Sequence, residues 1–180
     1  MTNFDIAKKN YDAGLWTNDM LHKLVSNGKL AEDEYKSITG FTYYPGSNPA
    51  MTLSEAKSAK IQYSKDLLSS FLEEHPITWT DGEQYSITRE KQAQLTGKIM
   101  AASMAQTLSQ PYTLTWNSTG QVCREWTLQD LSALAFAIDA RVTALVSYQQ
   151  TQEVAMRNAA SREELDAIVV DYDSVPEVTA

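Results

Sequence analysis

Cysteine is almost missing from this chain. Cys123 is the single one in 180 residues, so no disulfide can close within it. That excludes a small scaffold held together by disulfides and fits a reducing compartment. Histidine is nearly as scarce: His22 and His75 stand alone, with no cysteine or carboxylate at ligand spacing around either, so a zinc motif is missing. The 7 glycines show no phosphate-binding spacing. Positive charge is also short. Fifteen Lys and Arg against 23 Asp and Glu leave a net charge of −8, which argues against a nucleic-acid binder. No apolar run approaches the roughly 20 residues needed to cross a bilayer. The start, from Met1 to Asp12, lacks the positive-then-apolar pattern of a signal peptide. The expectation is a soluble protein made in a cytoplasm, with no nucleic acid, membrane, metal or cofactor among its partners.

Catalytic groupings are equally thin. Cys123 has no histidine near it in sequence and is expected as a core thiol in a strand. His75 precedes Pro76 at a helix end, where it can serve the helix dipole. Asp81-Gly82-Glu83 resembles a calcium loop only superficially, because the further oxygen ligands and the distant bidentate glutamate are missing. Asp171 and Asp173 form a carboxylate pair in an acidic tail. No catalytic residue is assigned, and a non-enzymatic protein is expected.

What is present is ordinary globular composition, 43% hydrophobic and 21% charged. Residues 1–40 read as a small helical module. Gly14 is placed to close a first helix through a left-handed cap. Thr17 caps a second, and the acidic run Glu32, Asp33, Glu34 opens a third that ends at Gly40. Residues 41–51, with Pro45-Gly46 and Ser47-Asn48-Pro49, read as a linker. A helix follows over 52–74, opened by the capping box Thr52/Glu55 and stopped by His75-Pro76.

Residues 77–110 and 112–157 then repeat one theme, a polar-turned hairpin followed by a long helix. In the first, Ile77 and Trp79 run out, Asp81 and Gly82 supply the positive φ angles of the turn, and Tyr85 and Ile87 return. Thr88 caps a helix reaching about Ser109. Its Met100 and Met104 are expected in the core, with an adaptable groove as the alternative. In the second, Tyr112, Leu114 and Trp116 run out, Asn117–Gly120 turns, and Val122 and Trp126 return. Thr127 and Asp130 open the longest helix. It continues towards Asn158, roughly 45 Å at about 1.5 Å per residue, and its distal end is expected to project. Ser161 and Glu164 cap a short helix Arg162–Ala167, and an acidic tail over 173–180 is expected to be mobile or laid on a neighbour. The fold class is α+β: a helical module (1–40), the linker (41–51), an α+β domain (52–172) and the tail.

Three surfaces are candidates for partner binding. Leu15, Trp16, Leu24 and Tyr35 belong to a module too small to bury them all. Tyr43 and Tyr44 lie in the linker, which should expose them. Gln149, Gln152 and Arg157 mark the distal end of the long helix.

Two family resemblances rest on particular motifs. Tyr11-Asp12-Ala13-Gly14-Leu15-Trp16-Thr17 and Gly28-Lys29-Leu30, followed by Glu34-Tyr35-Lys36-Ser37-Ile38-Thr39-Gly40, resemble the short phage XkdX family. Further along, Thr88-Arg89-Glu90-Lys91-Gln92-Ala93-Gln94-Leu95-Thr96-Gly97, the turn Trp116–Gly120, Trp126-Thr127-Leu128 and Ala160–Ile168 resemble, in the same order, a small domain of unknown function that recurs in phage tail fibre and tail fibre assembly proteins. The resemblance implies a bacteriophage tail protein whose partner is a tail fibre or baseplate chain. A fibre assembly chaperone in the host cytoplasm is the first reading. A structural component retained in the virion tail, or in a phage tail-like particle, is the alternative. Neither family supplies catalytic residues, and a homo-oligomer stays open.

Overall fold

Local hydrogen bonds start nearly every helix. In the computed structural model, which describes residues 2–44 and 51–177, α1 spans Asn3–Asp12, α2 Asn18–Ser26 and α3 Glu32–Thr39. The Thr2 hydroxyl accepts from the Asp5 amide while the Asp5 carboxylate accepts from the Thr2 amide, a reciprocal cap that satisfies two otherwise orphaned donors. Thr17 caps α2 through the Met20 amide, and Gly40 ends α3 at φ +77°, a backbone region that an L side chain resists. The helix α4, Leu53–Glu74, opens on the Thr52/Glu55 box, with the Thr52 amide donating to the Glu55 carboxylate at 2.8 Å.

The two hairpins are shorter than their sequence alternation suggests. β1 (Ile77–Thr78) pairs antiparallel with β2 (Gln84–Tyr85), Ile77 opposite Tyr85. β3 (Thr115–Trp116) pairs antiparallel with β4 (Arg124–Glu125), Thr115 opposite Glu125. Val122 falls outside β4 and points to solvent, 86% exposed. In the first turn only Gly82 takes a positive φ, +81°; Asp81 uses its carboxylate instead, accepting from the Glu83 amide at 3.0 Å. Each hairpin feeds a helix: α5, Arg89–Thr107, capped by Thr88, and α6, Leu128–Asn158, whose first-turn Asp130 amide donates to Thr127. The last helix, α7, is Arg162–Ala167, capped by Ser161. The architecture is α+β, dominated by helices with two small antiparallel hairpins.

The chain divides into two compact units. One takes the sequence to Lys65 together with Gln150–Val170. Its N-terminal helices close on a cluster of Ala7, Leu21, Leu30, Tyr35, Ile38 and Tyr43, with Phe4, Tyr11, Trp16, Leu24 and Val25 packed around it. A second cluster joins Ala56 and Ile61 of α4 to Met156, Ala159 and Leu165. The end of α6 does not project. Glu153 is paired with Lys65 at 3.0 Å, and the Arg157 carbonyl accepts from Lys57 at 2.8 Å. Nor does the chain after α3 run free, since Tyr44 is buried, its hydroxyl donating to the Ala56 carbonyl at 3.2 Å and its ring stacked on Tyr63. The remainder of the expected linker, residues 45–50, lies outside the described residues. Lys60 is buried too. Its ammonium donates to the Leu165 carbonyl at 2.6 Å and sits 5.8 Å from the Tyr44 ring centre.

The other unit comprises Asp66–Gln149 and the chain from Asp171 onwards. On α6 the buried residues Leu131, Leu134, Ile138, Arg141, Leu145 and Gln149 recur at spacings of three and four, the pattern of a helix packed along one side. This helix is long and apolar enough by composition to cross a membrane, with a mean hydropathy of 1.4 over its most apolar 18 residues. Of that stretch 28% is buried, with Arg141 on the buried side. The acidic tail is docked as well. Arg141 donates to the carbonyls of Val175 and Pro176, both at 2.9 Å, and Tyr172 packs edge-on to Tyr148. A buried guanidinium that finds two carbonyls retains its hydrogen bonds and holds the tail in place. Residues 178–180 lie outside the described residues.

Candidate partner-binding surface

In the second unit α5 turns only part of its surface inward, through Leu95 and Ala102. Met100 is 59% exposed, Met104 60% and Leu108 64%, and the spacing of four aligns them in one stripe. The methionines are thus on the surface rather than in the core. After α5, Ser109 takes a positive φ of 51° and the chain turns back through Pro111 to Tyr112, itself 43% exposed. Tyr112 stands between two hollows. One, about 450 Å³, is lined by Ala102, Ala105 and Gln106 of α5 and by Leu114, Glu125 and Trp126. The other, about 460 Å³, is lined by Lys91, Gln94 and Lys98 of α5 and by Thr115, Trp116 and Cys123. Cys123 is exposed just ahead of β4, not the core thiol expected, because the loop leading into a two-residue strand leaves it outside the ladder. The stripe presents flexible thioethers, and the two hollows present a tyrosine and indoles, side chains able to repack against different partners.

A polar joint fixes the two hairpins side by side. The Thr119 amide donates to the Gln84 carbonyl at 2.7 Å, and the Ser118 hydroxyl donates to Glu83 at 3.1 Å. Arg124 forms an ion pair with Asp81, donates to the Tyr85 hydroxyl at 2.9 Å and lies over the Trp126 ring at 4.6 Å. Burial works to raise the Asp81 pKa, but the Glu83 amide, the Tyr85 hydroxyl and Arg124 outweigh it and hold the carboxyl below its ordinary range. The Trp126 indole N–H is buried with no acceptor among the described residues.

The residues proposed from sequence fare unevenly. Leu15, 68% exposed, is at the surface, while Trp16 and Leu24 are half-buried against the N-terminal cluster. Tyr35, Tyr43 and Tyr44 are buried. Tyr35 and Tyr43 pack edge-on at 5.8 Å with His22 against both rings, so the expected exposure of these tyrosines is corrected. The helical module buries its aromatics by stacking them on one another, and Tyr44 by reaching α4. Burial pushes both Tyr35 and Tyr44 up to about 12. Gln149 is buried and Gln152 half-buried. Arg157 is exposed but engaged with Glu153 at 2.6 Å, so these three do not form a free helix tip. For Met100 and Met104 the sequence favoured the core and kept an adaptable groove as the alternative; their exposure corrects the first reading.

Comparison with known families places the chain in a class. Residues 4–43 match the family described as phage uncharacterised protein (Phage_XkdX). Residues 55–173 match the domain of unknown function DUF4376, which spans more than half of the 180-residue chain. The chain is a phage-associated protein. It belongs to the DUF4376 family, and the Met100–Leu108 stripe and Tyr112 lie inside the matched segment. No curated protein and no solved structure matches it.

Proposed function

We propose that this protein binds tail fibre chains and acts as an assembly chaperone for them, without enzymatic activity, in the host cytoplasm. The observation that carries the reading is the exposed Met100–Met104–Leu108 stripe along α5, an adaptable apolar face in a phage-associated chain. A holding protein needs such a face. Fibre chains expose unpaired apolar surface before they trimerise, and a partner that binds that state lowers the free concentration available for aggregation. The net charge of −8 keeps copies of the protein apart while the face is open. The hollows that share Tyr112 give the client's larger side chains somewhere to enter. Neither nucleic acid nor a lipid bilayer takes part.

Co-expression with the fibre chain of the phage that encodes it is the test. Native mass spectrometry of the lysate and proteomics of purified particles give the readout. A lysate complex with immature fibre, together with absence from finished particles, supports a chaperone. A fixed low copy number in the particles makes it a structural tail component instead.

A further inference from the structure

A third hollow, about 320 Å³, opens beside the joint between the hairpins, lined by Trp79, Asp81, Arg124, Glu125, Trp126 and Asp130. Its charges do not balance. Asp81 is answered by Arg124. Among the described residues the Asp130 carboxylate accepts only from the Thr127 hydroxyl, at 2.7 Å, and Glu125 has no ion pair; both residues are exposed. Two carboxylates are therefore left without a cation. Its indoles do not match either. Arg124 lies over Trp126 at 4.6 Å, and elsewhere in this unit Lys91 lies over Trp116 at 5.3 Å. Trp79, half-buried, has neither a ring nor a cation against it among the described residues. The group that would complete this hollow is a cation set over Trp79 and facing Glu125 and Asp130.

We propose that the hollow receives an arginine side chain from a partner protein. A guanidinium suits it better than an ammonium: its flat face stacks on an indole while its edge meets a carboxylate in a fork. The excess of carboxylates in the hollow and the net charge of −8 both favour a basic segment. The inference deepens the fibre-binding reading and rests on it for the source of the arginine. The hollow itself is tested without any fibre chain, so the two can fail separately.

The full-length chain, labelled with ¹⁵N and with its four indole N–H resonances assigned, is titrated with N-acetyl-arginine methylamide. N-acetyl-citrulline methylamide, the neutral isostere, serves as the control, and methyl glucoside as a polyol. The expected result is a saturable shift of the Trp79 indole with a dissociation constant on the order of millimolar. The citrulline compound, and the Glu125→Gln/Asp130→Asn double variant, should each bind at least about fivefold more weakly. The Asp130→Asn change keeps a side-chain oxygen for Thr127, and unchanged dispersion of the remaining indoles confirms that the variant is folded. Equal response to citrulline, no saturable shift, insensitivity to the double substitution, or saturation by the glucoside instead would each overturn the assignment.

Discussion

Replacing Met100 and Met104 together by lysine separates binding from folding. Each methionine is about three-fifths exposed, so the fold gains little from either. Lysine matches methionine in helix propensity, and exposed substitutions of this kind usually fall within about 0.5 kcal/mol. Binding is different. Full burial of a methionine is worth about 1.5–3 kcal/mol, so covering the exposed three-fifths contributes about 1–2 kcal/mol per residue. Losing both costs about 2–4 kcal/mol, which is about 30- to 900-fold in dissociation constant. The assay is biolayer interferometry against the refolding fibre chain, with urea denaturation of the variant measured alongside. An affinity within threefold of the unmodified protein, in a variant with unchanged unfolding midpoint, would refute the assignment of this face.

Other outcomes are as definite. Leu134→Ala and Leu145→Ala, which empty fully buried sites on α6, should each destabilise the fold by about 2–5 kcal/mol in urea denaturation, far more than any change on the Met100–Leu108 stripe. Burial pushes Lys60 down to about 8 from an ordinary 10.5, so between those values the unfolded chain holds more protons than the folded one. The contribution of Lys60 to stability therefore rises with pH from about 8 upward. The measurement is the unfolding midpoint between pH 8 and 9, below the range where Tyr35 and Tyr44, ordinarily at 10.0, titrate appreciably in the unfolded chain, and Lys60→Met should flatten the slope. Cys123 should react fully with a thiol reagent without denaturant, because it is exposed; protection until unfolding would contradict its position ahead of β4.

What the sequence disclosed is what local chemistry determines. Thr17, Thr88, Thr127 with Asp130, and Ser161 with Glu164 each start a helix by a hydrogen bond to a residue three positions away, so helix starts were readable directly. Gly40 and Gly82 marked turns because their φ angles exclude most side chains. What it concealed depends on distant partners. Tyr44 sits beside a proline- and glycine-rich stretch that suggests an exposed loop, yet its hydroxyl finds a carbonyl on α4. The tail is acidic and would be read as free, but Arg141, 34 residues before Val175, holds its backbone. Met100 and Met104 have the spacing of a buried face, and only the packing of α5 through Leu95 and Ala102 reveals that they point outward.

The most direct measurement is amide hydrogen exchange on the protein alone and bound to the fibre chain. Protection confined to the end of α5 and the approach to β3, from about Met100 to Trp116, is the predicted footprint. Protection of α1–α3 around Leu15 with none on that segment would contradict the account.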